Sequence, residues 1–118
     1  MTDDIVYDCP EKFGLAVVKA INDPADSYDF DMVVLWKHKD GRLFWGHDSG
    51  CSCPTPFEWA HELSNLNVLT DDSWKDFEEV VNEVWCQYVS EYFADIAQVR
   101  RTEMLSAAAQ ELRAVRGD

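Results

Sequence analysis

Met32-Val33-Val34-Leu35-Trp36-Lys37-His38-Lys39-Asp40-Gly41-Arg42-Leu43-Phe44-Trp45-Gly46-His47 decides the fold. Two runs rich in β-branched and aromatic residues, Met32 to Lys39 and Arg42 to His47, flank Asp40-Gly41, the favoured pair for a two-residue hairpin turn. A turn of that type sets the register: Lys39 opposite Arg42, Lys37 opposite Phe44, Trp36 opposite Trp45. One face then carries Val34, Trp36, His38, Leu43, Trp45 and His47. The other carries Val33, Leu35, Lys37, Phe44 and Gly46. Both are largely apolar, so both faces of the sheet are expected to be covered, one by helices and the other by a loop or another subunit. Trp36 and Trp45 with their apolar neighbours form a candidate binding face, and as a cross-strand pair they equally suit a core.

Upstream, Pro10 keeps Cys9 extended and marks a turn. Phe13 to Ile21 reads as a third strand, with Phe13, Leu15, Val17 and Ile21 on one face. Its other face holds Gly14, Ala16, Val18 and Ala20, small enough to accept a close neighbour. A short helix through Phe13, Val17, Ala20 and Ile21 is the alternative, weakened by Gly14 and two valines. Asn22-Asp23-Pro24 ends the element, and Asp26 to Asp31 reads as an acidic, aromatic connector.

Downstream lies Asp48-Ser49-Gly50-Cys51-Ser52-Cys53-Pro54-Thr55-Pro56-Phe57-Glu58. Gly50, Pro54 and Pro56 exclude regular structure there, with Phe57, Trp59 and Leu63 as anchors for the far end. A short helix ending near Ser64-Asn65 fits residues 59–69. From Thr70 onward there is no Pro, and the only Gly is Gly117. Thr70, Asp71, Asp72 and Ser73 are all able to cap a helix start. Trp74, Phe77, Val81, Val84, Tyr88, Tyr92, Ile96 and Val99 step by three or four, and Leu105, Ala108, Leu112 and Val115 resume the pattern. Arg100-Arg101-Thr102-Glu103 interrupts it, so the helix is expected to break there or to cross solvent toward a partner. Trp85, Val89 and Phe93 widen the stripe beyond what a small monomer buries readily, which predicts a homodimer through the C-terminal helices. Residues 59–95 hold nine acidic groups and one basic, and residues 96–118 three and four. That division suits the helix dipole and antiparallel packing, either of the two halves or of two copies. The expected architecture is a single α+β domain over 1–118. A small antiparallel sheet of about three strands and the Cys/Pro loop occupy 1–69. One or two long helices occupy 70–117.

The chain has 118 residues and a formal charge of −13. Phosphate binding needs a basic patch, so direct nucleic-acid binding is not expected. An acidic surface suits solubility, a basic protein partner, or mimicry of DNA charge, for which Asp71, Asp72, Asp76, Glu78, Glu79 and Glu83 form the densest cluster. No run of eighteen apolar residues indicates a membrane span, and the acidic N-terminus does not read as a signal peptide. The four Cys are therefore expected as cytosolic thiols.

Asp48, Ser49, Cys51, Cys53 and Phe57, with Trp36 and Trp45, are the candidate binding residues. Cys is a small buried apolar residue, and Gly-Cys-Ser-Cys-Pro can pack as an ordered loop without metal or cofactor. The alternative is a tetrahedral zinc site from His47, Cys51, Cys53 and Cys9, although the spacing differs from the usual paired C-x₂-C. A redox role suits the C-x-C pair poorly, since Asp48 and Glu58 disfavour a thiolate. An enzymatic reading would combine Asp48 and Ser49 with His38 or His47. No phosphate loop or nucleophile elbow accompanies it, and no enzymatic activity is expected.

Tyr7-Asp8, Pro10-Glu11-Lys12-Phe13-Gly14-Leu15, Trp36-Lys37-His38, Asp40-Gly41-Arg42-Leu43-Phe44, the Asp48 to Pro54 string and Pro56-Phe57-Glu58 resemble small proteins encoded by bacteriophages of actinobacteria, grouped as a domain of unknown function. The resemblance covers roughly residues 5–72, with the helical tail from Trp74 less typical. It implies an accessory protein in the host cytoplasm that acts on a host or phage protein. It implies no activity, metal or catalytic residue.

Overall fold

The computed structural model describes residues 4–22, 29–51, 56–84 and 91–117. Four strands, β1 (Leu15–Ile21), β2 (Asp29–His38), β3 (Leu43–Cys51) and β4 (Asn67–Leu69), form one antiparallel sheet in the order β1-β2-β3-β4. Two helices follow, α1 (Trp74–Glu83) and α2 (Glu91–Arg116). The α+β class is as expected. The fourth strand was hidden because Asn67-Val68-Leu69 is too short to show alternation; it pairs with Leu43–Trp45 on the outer side of β3.

The β2–β3 register differs from the expected one by a single residue. Trp36 faces Phe44, Leu35 faces Trp45 and Lys37 faces Leu43. The closing pair is His38 and Arg42, with the His38 amide donating to the Arg42 carbonyl at 2.8 Å. The loop is therefore three residues, Lys39-Asp40-Gly41, with Gly41 at φ +100°. A longer turn ending on a left-handed glycine is the next most favoured hairpin. Local bonds select it: the Asp40 carboxylate accepts from the Arg42 amide at 2.9 Å and from Arg42 Nε at 2.8 Å, while the Asp40 amide donates to His38 Nδ1 at 3.1 Å.

Because side chains alternate, that one-residue shift regroups the two faces. Val33, Leu35, Leu43 and Trp45 share one, and Met32, Val34, Trp36 and Phe44 the other. Trp36 and Trp45 do not pair; they lie on opposite faces. Both faces are covered, as expected. The first packs under α1 through Phe77, Val81 and Val84, and under α2 through Ala97, Met104, Ala108 and Leu112. The second lies under loops and two short 3-10 helices, Pro10–Phe13 and Leu63–Asn65, with Val6, Phe57, Ala60 and Leu66 buried against it. Trp36, Phe44, Phe57 and Phe77 are almost wholly buried. Each large apolar side chain so placed contributes about 1.5–3 kcal/mol.

β1 is a strand but not a regular one. Val17 pairs with Trp36 and Lys19 with Leu35, so Val18 is an extra residue. This bulge rotates the strand's second half. Leu15 joins the Trp36 cluster and Ile21 joins the helix-covered core, rather than sharing one face as alternation predicted. Lys19 consequently meets Glu103 of α2 at 2.9 Å.

The helix break is also displaced. Arg100 to Glu103 lie inside α2, and α1 ends at Glu83, followed by Val84 in extended conformation. The polar interval clasps α2 to the rest of the molecule. The Arg101 guanidinium donates to the Val84 carbonyl through Nε at 3.1 Å and through Nη2, so it satisfies the end of α1. A cation is favourable at that end of a helix. Arg100 donates to the Asn22 carbonyl at 3.0 Å. The expected stripe positions Trp85, Tyr88 and Val89 lie outside the described residues, as does the side chain of Tyr92. No described helix is long and apolar enough to cross a membrane.

Candidate binding loop

Asp48, within β3, ties the chain beyond the following loop back to the sheet. Asp48 Oδ1 accepts from the Ser49 amide at 3.0 Å, and Oδ2 accepts from the Phe57 amide at 2.7 Å. A charged acceptor strengthens both bonds, and together they join positions nine residues apart. Phe57 then adopts φ +61°, a left-handed conformation that an aromatic residue seldom takes. Packing holds it there. Its ring is fully buried, edge-on to Trp36 at 5.5 Å, stacked with Tyr7 at 5.7 Å and tilted against Trp59 at 5.6 Å. Gly46 permits this approach, since a Cβ there would lie 2.9 Å from Phe57 Cε1. The Phe57 carbonyl accepts from the Ala60 amide, and the Ala60 carbonyl from the Val6 amide, both at 2.9 Å. The far end of the loop is thereby tied to the N-terminal segment.

The candidate residues divide into roles. Asp48 and Phe57 build the loop's base, and Trp36 is the floor beneath Phe57. Trp45 packs against Phe77 at 5.3 Å under the helices, away from the loop. Among the described residues, the indole Nε1 of Trp36 and that of Trp45 are buried without a hydrogen-bond partner, a cost of about 1–3 kcal/mol each that the packing of the rings must offset. Ser49 is exposed. Cys51 ends β3 opposite Asp29, but its side chain, like all of Cys53, lies outside the described residues. Of the three expected anchors, Phe57 is buried, Leu63 packs partly against the Trp36 cluster, and Trp59 remains 41% exposed beside the loop.

The alternation of β3 sets His47 on the face opposite Asp48, and opposite the one on which the N-terminal segment of Cys9 packs. His47 lies on the helix-covered face, where Nε2 meets Asp31 Oδ1 at 2.5 Å. Cys9 belongs to the N-terminal segment, whose Val6, Tyr7 and Phe13 pack on the opposite face. Among the described residues, no group of three or more His, Cys, Asp or Glu is gathered for a metal. Asp48 is on the face opposite His47, and both its oxygens already hold backbone amides. His38 lies at the hairpin tip, over Gly14. Ser49 shares the face of His47 and stands across from Asp31, yet no hydrogen bond joins its hydroxyl to His47 among the described residues. Asp31 is the residue that the sequence concealed. It is 7% exposed and part of β2, within a stretch that read as a connector.

The groups with displaced titration sit at the ends of the β1–β2–β3 unit. Asp40 is held below the usual carboxylate range, first by the Arg42 amide and further by the Arg42 side chain. Lys12 is raised by its hydrogen bond and ion pair with Asp4 at 3.0 Å.

A family model, a domain of unknown function (DUF7574), matches residues 4–111. No curated protein and no solved structure matches the chain. The match extends well past residue 72, so the helices, which seemed less typical, are part of the family pattern and not an appendage. From the N-terminal segment to most of α2, this chain belongs to that family.

Proposed function

We propose that this chain is a bacteriophage accessory protein that works without catalysis in the cytoplasm of its bacterial host, by binding a host or phage protein. The observation that carries the reading is the Asp48 clamp, which closes a loop on a buried aromatic anchor. A loop held rigidly at its base by a sheet is a common way to present contact residues. Exposed Ser49 and Trp59 flank it. The polar groups suited to catalysis are engaged in building the scaffold: Asp48 with amides, His47 with Asp31, His38 with Asp40. The outward face of α2 is a second contact surface, open to a partner or to another copy of the chain, because Ile96 and Val99 are 43% and 56% exposed. Affinity capture from actinobacterial lysate tests the reading. The wild type is expected to retain a specific protein that Asp48→Ala loses. Repeated capture with no specific protein retained would overturn it.

A further inference from the structure

The outer edge of the sheet at β1 is thinly guarded. β1 ends the strand order, and among the described residues no backbone hydrogen bond joins it to a chain on its outer side. The Gly14 carbonyl accepts from the Lys39 amide at 2.9 Å, and the His38 amide turns away from β1 to Arg42. By the alternation of an antiparallel ladder, Leu15 and Val17 therefore point their own amides and carbonyls outward. Natural edges are blunted by charge, proline or irregularity. Leu15-Ala16-Val17-Val18-Lys19-Ala20-Ile21 has the bulge at Val18 but neither proline nor carboxylate, and its one charge, Lys19, is drawn to Glu103. Val17 is 52% exposed. α2 lies above this edge: Arg100 bonds the Asn22 carbonyl, Glu103 meets Lys19, and Glu111 meets Lys37 of β2 at 3.0 Å. Exposed Ile96 and Val99 line an open groove with Asp95 and with Arg100 and Glu103, the two side chains that reach β1 and its end.

From this we infer that β1 pairs antiparallel with β1 of a second copy, joining two sheets into one, with the two α2 helices side by side above the seam. Leu15 to Val17, ahead of the bulge, supply the new ladder. The dimensions of the fold select this occupant. α2 forms ion pairs with Lys19 of β1 and Lys37 of β2, so it sits over that strand pair. A two-fold axis between the β1 strands sets the two α2 helices two strand spacings apart, about 10 Å. Packed helices ordinarily lie about 8–10 Å apart. An extended segment of another protein would fill the strand edge and leave Ile96 and Val99 bare. A second copy brings a strand and a helix at the matching offset and covers both. Charge permits the approach: the chain is formally −13, but the charged groups on this side are Lys19, Arg100, Asp95 and Glu103, two of each sign. A closed two-fold pair also withdraws the edge from further strand addition. The pairing stands apart from the binding function proposed above.

Analytical ultracentrifugation of the full chain at about 0.15 M salt reads the assembly. The wild type is expected to be a dimer. Val17→Lys sets on the seam the charge that native edges use against pairing, and Ile96→Lys sets one between the helices. Each is expected to raise the dimer dissociation constant about tenfold or more, because the charge meets no partner there. Val68→Lys, at an exposed valine of β4 on the opposite edge, is expected to dimerise as wild type. All three positions are exposed, and circular dichroism checks that each variant folds. Amide exchange on the wild type needs no variant: the Leu15 and Val17 amides are expected to gain protection as protein concentration rises. A monomeric wild type would overturn the inference. So would a dimer whose Leu15 and Val17 amides exchange equally fast at every concentration, or one that Val68→Lys breaks and Val17→Lys does not. A dimer weakened by Ile96→Lys alone would mean that the helices pair without the strands, and overturns it equally.

Discussion

Phe57 shows how few side chains shape the loop. Its left-handed backbone is stable only because the Asp48 carboxylate takes its amide and Gly46 leaves room for its ring. Gly46→Ala should destabilise the protein by about 1–3 kcal/mol, as overpacking does when a ring has no free space to move into. Urea denaturation would measure this, and an unchanged midpoint would refute the contact. Asp48→Ala should cost about 1–3 kcal/mol by leaving the buried Phe57 amide unsatisfied, with Asp48→Asn recovering part of it. Asp40 supplies a pH test. Its folded pKa is depressed, so its contribution is fully present above the ordinary Asp value and is lost as pH falls through the folded pKa. An NMR titration should therefore place the Asp40 midpoint below that of a free Asp, and a midpoint at or above the ordinary value would contradict the Arg42 bonds. Gly50 and the two prolines predict irregular structure from Asp48 onward, but β3 continues to Cys51, so the Asp48 bond to the Ser49 amide lies within a strand. Its bond to Phe57 was not legible, because no local rule links Asp48 to a residue nine positions on.

Among the elements, the central parts of β1, β2 and β3 were legible from composition; β4 and the register were not. Asp40-Gly41 supports both a two-residue and a three-residue turn. The choice depended on Asp40 bonding Arg42, a side-chain contact invisible to pattern. The same limit hid the bulge at Val18. In the helices, the polar interval predicts a break or a crossing through solvent, whereas Arg101 faces inward to end α1. Arg101→Met should therefore destabilise by about 1.5–3 kcal/mol, the worth of a hydrogen bond from a charged donor. Amide exchange near Val84 should accelerate with it. Glu103→Gln removes only a solvent-exposed ion pair and should cost less than about 1 kcal/mol. Equal effects of the two substitutions would contradict the clasp.

At the scale of the molecule, a thin sheet is buried on both sides by unlike covers. Helices lie over Val33, Leu35 and Trp45, and an irregular chain lies over Val34, Trp36 and Phe44. Two apolar faces predicted two covers, and that inference survived the register error because it depended on composition alone. The exposed face of α2 was less legible. A helical stripe read from sequence does not say which of its residues the sheet takes and which it leaves outside, as with Ala97 and Ile96. The central claim is that the molecule works by holding another protein. The most direct test places a photo-crosslinking amino acid at Ser49 and, separately, at Val99, in protein expressed in actinobacterial cells. The account predicts, from at least one position, a discrete covalent adduct of this chain with a different polypeptide. Uncrosslinked chain alone at both positions would contradict it.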